Sequence, residues 1–359
     1  MPRQSDPPSP NNSGIDERHR TVRRFPETFA MHRTSSATTT PGISALQFGA
    51  VPLSAAEQLF RHAMNQEMMA LLRSLPDAVH TDAALLLMAH FKTPFFPEFN
   101  YFQNYFAPSW SILYWLEQSR PNSRFSWDAF RHHALRAHAM ALFLHPLDDH
   151  LNDGQLSTTH LSLLLRSQAW LWMNAALKPL AAAIPDGEAI VKTLINDYYA
   201  SMDAPPAVDT LDGYCAHFRK QMATWMIVPR LLAAGIAADT SLGQAVQSAY
   251  GAFGTAWRLM DDLQDMDADL AGGCHSAVYY MLPAPARNIW NRPPDRDSAG
   301  RMGSLREAIR KGGIAEALKA KIAGELISSA TTMASIQLAG LAHELHCLAA
   351  PLIEGRPAP

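Results

Sequence analysis

Apolar residues first recur with helical spacing at Leu59, Phe60, Ala63, Met64, Met68, Leu71 and Leu72. At about 100° per residue they share one face of a helix. Ser54 and Glu57 precede them with the spacing of a capping box, so the helix is predicted to begin there and to end near Pro76. A second helix is predicted over 81–91, stopped by Pro94. The stretch 91–106, FKTPFFPEFNYFQNYF, holds too many prolines for one helix and enough aromatics to need a shared core. Further helical runs are predicted at 109–118, from a Ser126 cap through Phe130, Leu135, Ala139 and Leu142 to Asp148, and at 159–177 and 189–199. A run over 209–234 should kink at Pro229. The run 240–270 and two or more Ala/Leu-rich helices over 300–352, divided at Gly312-Gly313, complete the pattern. No segment alternates with period two. The expectation is an all-α fold, a single large helical bundle over 50–359.

Residues 1–49 break this pattern. They are rich in Pro, Ser, Thr, Asn and Arg without a sustained apolar period, and read as a disordered tail. Arg18, Arg20, Arg23 and Arg24 give the tail a basic cluster, but Asp16, Glu17 and Glu27 among them argue against a transit peptide.

Composition narrows the class. With 48% hydrophobic and 18% charged residues the chain suits deeply buried helices, and a net charge of −3 offers no basic field for nucleic acid. Cys215, Cys274 and Cys347 are far apart and form no CxxC. They fit a reducing, cytoplasmic setting better than a disulfide framework or a structural zinc site. The apolar run 169–184 is interrupted by Asn174, Lys178 and Pro179 and falls short of the ~20 residues a bilayer span needs, so no transmembrane segment is expected.

The chemistry concentrates in two acidic clusters. In YGAFGTAWRLMDDLQDMDADL, an apolar helical run becomes dense with carboxylates: Asp261, Asp265 and Asp269 fall on one face, with Asp262 beside them. Like charges this close repel, and acids at the inner end of a buried helix are costly unless paired or metal-bound. Upstream, in LHPLDDHLNDG, Asp149 and Asp153 stack one turn apart, with Asp148 adjacent. All-oxygen donors without imidazole or thiolate at coordinating spacing select Mg²⁺ or Mn²⁺.

FGTAWRLMDDLQDMDAD resembles the second aspartate-rich motif of the trans-isoprenyl diphosphate synthases, and LHPLDDHLNDG resembles their first. The resemblance implies a class I isoprenoid synthase fold with a central active-site cavity, and a prenyl diphosphate as substrate. It also implies Mg²⁺, with Mn²⁺ as a substitute and three ions once substrate is bound, and a homodimer. Asp148, Asp149 and Asp153 would hold one side of the metal cluster, and Asp261, Asp262 and Asp265 the other. Lys220, in HFRKQMATW, sits where that family has a diphosphate-binding lysine, and Arg219 adjoins it. Leu144 and Phe143 occupy the positions that set chain length in that family. His275 follows the second cluster closely enough to reach a diphosphate.

Departures from the family bear on the reaction. Chain-elongating members carry a Gly-Lys-Arg segment near the N-terminus and an Arg-Arg pair after the first motif. Here GQLSTTHLSLLLR follows Asp153, and Arg166 is the first basic residue. The family glutamine three residues before the second Asp pair is Arg258. The main expectation is therefore a terpene cyclase-like synthase, in which Arg258 and Arg166 help hold the departing diphosphate. The alternative is a chain-elongating prenyltransferase that joins an allylic diphosphate to isopentenyl diphosphate, and a third reading is a non-catalytic partner subunit. The second motif, aspartate-rich in the elongating style, weighs against the cyclase; the retained aspartates weigh against a silent subunit.

Overall fold

A computed structural model describes residues 46–119, 127–152, 154–203, 208–236, 241–292 and 298–354. The tail reading over 1–45, the Ser126 cap and Asp153 lie outside the described residues. Among the described residues every regular element is helical. None of these helices is long and apolar enough to cross a membrane.

Helix α1 (Ala55–Arg73) starts at the expected capping box: Glu57 N donates to Ser54 Oγ at 3.2 Å and Ser54 N to Glu57 Oε2 at 2.8 Å. Its inward stripe is Phe60, Met64, Met68, Leu71 and Leu72. Helix α2 (His80–Ala89) leads into the aromatic and proline stretch, where Tyr101 and Phe102 turn into the core on a short 3₁₀ segment. Helix α3 (Pro108–Ser119) follows.

Helix α4 (Trp127–Asn152) runs through the core, and from Ala134 to His150 only Arg136 and Asp149 escape full burial. Pro146 lies inside it. A proline has no N–H, so the Leu142 carbonyl one turn earlier loses its helical donor. The Tyr105 hydroxyl donates to that carbonyl at 2.9 Å, which binds the aromatic stretch to α4. Helix α5 (His160–Ala182) packs along α4, and α6 (Gly187–Asp203) packs against α5 and against the helices that follow it.

Two predicted runs are broken where sequence gave no signal. The run over 209–234 divides at Met222 into α7 (Leu211–Gln221) and α8 (Ala223–Ile236), with Pro229 inside α8. Met222, at φ −83° and ψ 4°, ends α7 while remaining fully buried, so packing rather than the proline sets the break. The run over 240–270 divides at Asp265 into α9 (Ser241–Gln264) and α10 (Met266–Gly272). Asp265 N donates to Asp261 O and Asp269 N to Asp265 O, both at 2.9 Å, so helical stacking continues across the hinge.

Every residue of α9 from Ala249 to Met260 is buried. Tyr250 Oη and His138 Nε2 both donate to Ser109 O, at 2.6 Å and 2.8 Å, tying α9 and α4 to the start of α3. The short helices α11 (Ala277–Met281) and α12 (Ala284–Trp290) and then α13 (Ser298–Lys311) follow α10. Helices α14 (Ile314–Ser335) and α15 (Ala339–Glu354) form a hairpin, α14 against α9, and Gly313 at φ 60° supplies the left-handed residue at the predicted glycine break.

Residues 46–49, assigned to the tail by composition, are instead packed. Phe48 is buried edge-on against Phe106, with ring centroids 4.8 Å apart. Gly49 crosses α15 so closely that a Cβ would collide with the Cys347 carbonyl, and its N–H donates to Leu348 O at 3.1 Å.

Candidate active site

The C-terminal end of α4 and the α9–α10 hinge bring the two acidic clusters to the same end of the bundle. Neighbouring helical residues point about 100° apart, and each Asp pair divides accordingly. Asp148 turns toward α5 and α6, where Arg166 Nε and Nη2 donate to its two oxygens at 2.6 Å and 3.1 Å and Tyr198 Oη donates at 2.8 Å. Asp262, fully buried, is held in the same way. Tyr214 Oη donates to it at 2.7 Å, the Ala277 N–H at 2.9 Å, and Arg258 Nε lies 3.0 Å away. In both pairs an arginine and a tyrosine fix one carboxylate.

Asp149 and Asp261, the other members of the pairs, differ. Asp149 is half-buried and has no hydrogen bond or ion pair among the described residues. Asp261 Oδ2 is buried without a hydrogen bond and lies 3.9 Å from Arg258 Nη1. Asp265 caps the hinge, half-buried beside them. Asp269 is 1% exposed, and neither of its carboxylate oxygens has a donor in good geometry, although the Ser276 hydroxyl adjoins it.

Electrostatics reflect this crowding. Burial raises the Asp149 carboxyl to about 6, against the opposing field of Arg258 and with the help of Asp148. Asp261 and Asp269 are pushed well up by burial and by neighbouring carboxylates, and Asp262 is raised by burial while Arg258 works against the rise. Arg258 thus acts on acids of both clusters. The donor chemistry, buried carboxylate oxygens without hydrogen bonds, suits a hard divalent cation, while among the described residues no three ligating side chains converge closely enough to form a ready-made metal site.

Below the carboxylates lies an aromatic layer. His145 stands 5.1 Å from Trp225 and 6.3 Å from Phe218, and Trp257 lies 5.9 Å from Trp225 and 6.0 Å from Phe218, between ring centroids. Burial drives the His145 pKa down to about 3, so its ring is neutral. Deeper, Phe143 is fully buried between Phe91 and Tyr101, at 5.8 Å and 5.7 Å, and Leu144 is equally buried. A cavity of about 360 Å³ opens instead between α4, α5 and α6, lined by Asp148, Asn152, Arg166 and Tyr198.

The remaining predicted residues disperse. Lys220 is exposed at the end of α7 with no ion pair among the described residues. Arg219 turns away, donating from Nε to Thr255 Oγ1 at 2.8 Å and from Nη2 to Glu325 at 3.0 Å. His275 stacks on Tyr279 at 3.7 Å and meets Asn291 Oδ1 at 2.7 Å. Arg166 is engaged by Asp148, and Asp262, though bonded through Oδ2, keeps Oδ1 buried without a hydrogen bond. Sequence reasoning missed Tyr198, Tyr214 and the His145 layer, which carry no spacing signal. Asp269 was legible as the next turn after Asp265 but was left out of the ligand set.

The all-α bundle has the fold of solved prenyl diphosphate synthases. The chain is similar to the solved geranylgeranyl pyrophosphate synthase from Corynebacterium glutamicum ATCC 13032, with 14% identity and TM-score 0.61 over 88% of this chain and 98% of that one. It is also similar to geranylgeranyl pyrophosphate synthetase from Pyrococcus horikoshii OT3, with 11% identity and TM-score 0.60 over 84% and 97%. A decaprenyl diphosphate synthase from Rhodobacter capsulatus aligns with 15% identity and TM-score 0.50 over 83% and 99%. No family model matches the chain, and no curated protein matches it in sequence.

Proposed function

We propose that this protein is a class I isoprenoid synthase that ionises a linear allylic prenyl diphosphate and extends it with isopentenyl diphosphate. The observation that carries the reading is the set of carboxylates Asp149 on α4 with Asp261 and Asp269 across the α9–α10 hinge, acted on by one arginine, in which Asp261 Oδ2 and both Asp269 oxygens are buried without a hydrogen bond. The solved structures that the chain resembles are prenyl diphosphate synthases, and they favour elongation over the cyclase expected from the missing basic motifs.

Asp149, Asp261 and Asp265 would hold Mg²⁺, which supplies neutralisation of the diphosphate oxygens as the allylic C–O bond breaks. Lys220, an exposed ammonium at the end of α7, is available for the same phosphates. Asp148 and Asp262 act as positioning residues, each clamped by an arginine and a tyrosine. The allylic cation would lie near Trp225 and Trp257, whose faces stabilise positive charge by about 0.5–2 kcal/mol each. His145, held neutral, adds no opposing charge there. Cyclisation remains the second reading, favoured by Arg258 in place of glutamine and by the absence of an Arg-Arg pair after Asp153.

The test is incubation of the full-length protein with Mg²⁺ and geranyl, farnesyl or geranylgeranyl diphosphate, with and without isopentenyl diphosphate. A longer diphosphate formed only with both substrates is the expected product. Hydrocarbon or alcohol from the allylic substrate alone would replace elongation with cyclisation or hydrolysis. Failure of every combination would favour the silent-subunit reading.

A further inference from the structure

The division between α7 and α8 at Met222 deprives one backbone carbonyl of its helical donor. In a continuous α-helix the Trp225 N–H would bond the Gln221 carbonyl, four residues earlier. Here Trp225 N donates to Met222 O at 3.0 Å instead, and Met222 N closes α7 on Phe218 O at 3.0 Å. Residues 222–229 are all buried, so the Gln221 carbonyl needs a donor from elsewhere in the bundle. His145 on α4 supplies it. Its ring N–H donates to the Gln221 carbonyl, and the ring packs against Phe218 before the break and Trp225 after it. A neutral imidazole has a single N–H, and burial keeps this ring neutral, so the bond fixes its tautomer.

His145 precedes Asp149 by one turn, and the two share a face of α4. Lys220 lies one residue before Gln221, and Trp225 four residues after it. One hydrogen bond therefore joins the acid-bearing end of α4 to the break that carries the candidate phosphate ammonium and a ring of the aromatic layer. We propose that His145 is a positioning residue: by donating to the Gln221 carbonyl it holds the α7–α8 break, and with it Lys220 and Trp225, in register with Asp149. The inference rests on the diphosphate reading above and names the group that aligns its parts. His145 acts through these neighbours and not on the reacting atoms.

The test compares full-length His145→Leu, which has no donor, with His145→Gln and His145→Asn, which lose the ring but keep an N–H. Turnover is measured with Mg²⁺, isopentenyl diphosphate and whichever of geranyl, farnesyl or geranylgeranyl diphosphate wild type consumes. Misplacement by about 1 Å costs up to about 100-fold in rate. His145→Leu should therefore lose at least about tenfold in kcat with less than about threefold change in KM for the allylic diphosphate. At least one of the two amides should recover most of that kcat. Hydrogen exchange across residues 218–228 should quicken in His145→Leu and return toward the wild-type rate in the same amide variant. Wild-type kcat in His145→Leu, or amide variants no better than leucine, would overturn the proposal. If His145→Leu does not fold by circular dichroism, His145→Phe, which keeps a ring without the donor, replaces it in the comparison. Absence of turnover in wild type would overturn the diphosphate reading itself, and this role with it.

Discussion

Arg166 grips Asp148 through both carboxylate oxygens, at 2.6 Å and 3.1 Å, and thereby removes the first acid of the upstream pair from the face that Asp149 occupies. The two adjacent aspartates should respond oppositely to neutralisation. Asp148→Asn leaves the Arg166 guanidinium and the Tyr198 hydroxyl facing a weaker acceptor, with an expected loss of about 1–3 kcal/mol in urea denaturation. Asp149→Asn removes an unpartnered charge, so its metal-free stability should match or exceed wild type while turnover is lost. Equal destabilisation by the two substitutions would refute this division of roles.

The helical bundle was legible because its signals are local. The Ser54–Glu57 box, the apolar stripe of α1 and the glycine break before α14 each act within a few residues, and the structure places them as read. The breaks at Met222 and Asp265 were not legible, because tertiary packing sets them. For the candidate site, the spacing of Asp261, Asp265 and Asp269 exposed the acidic face. The partners that distinguish Asp148 from Asp149, and Asp262 from Asp261, come from α5, α6, α7 and the start of α11. No sequence spacing reports contacts between residues as far apart as Asp148 and Tyr198.

Asp149 also predicts a pH dependence. Its folded pKa, about 6, lies above the ordinary carboxylate value of about 4. A raised acid favours the folded state while protonated, so that contribution is complete below the ordinary value and is lost as pH rises through about 6. In chelator-treated protein, Asp149→Asn should therefore have a higher Tm than wild type at pH 7, with the difference vanishing near pH 4. Mg²⁺ with inorganic diphosphate at pH 7 should raise the wild-type Tm and leave that of Asp149→Asn nearly unchanged. A pH-independent difference would remove Asp149 as the titrating group.

A second pH effect arises far from the acidic clusters. Glu344 on α15 is 2% exposed, accepts from Ser111 Oγ at 2.5 Å and Trp115 Nε1 at 2.6 Å, and has Glu57 beside it. Burial, with Glu57 adding to it, raises its pKa to about 8 against the two donors. The group is raised, so stability is lost as pH climbs toward that value, with about 1 kcal/mol of the loss falling between pH 7 and 9. Glu344→Gln should flatten the wild-type decline in that range when denaturation is followed at each pH. An unchanged slope would show that another group titrates.

Phe143 offers a test of product length. The ring is fully buried between Phe91 and Tyr101, one turn and more below Asp149 on α4, so a growing chain directed down the bundle from the carboxylates meets this wall. Truncation to alanine would open a large void at a cost of about 3–5 kcal/mol, enough to confuse a folding defect with a change in specificity. Phe143→Leu removes less volume and retains an apolar filling. With the elongating reaction active, it should shift the product distribution toward longer chains, resolved by chromatography of the dephosphorylated alcohols. Tyr101→Phe keeps the wall and should leave the distribution unchanged. If Phe143→Leu yields the wild-type length at wild-type stability, the growing chain follows another path and Phe143 is ordinary core.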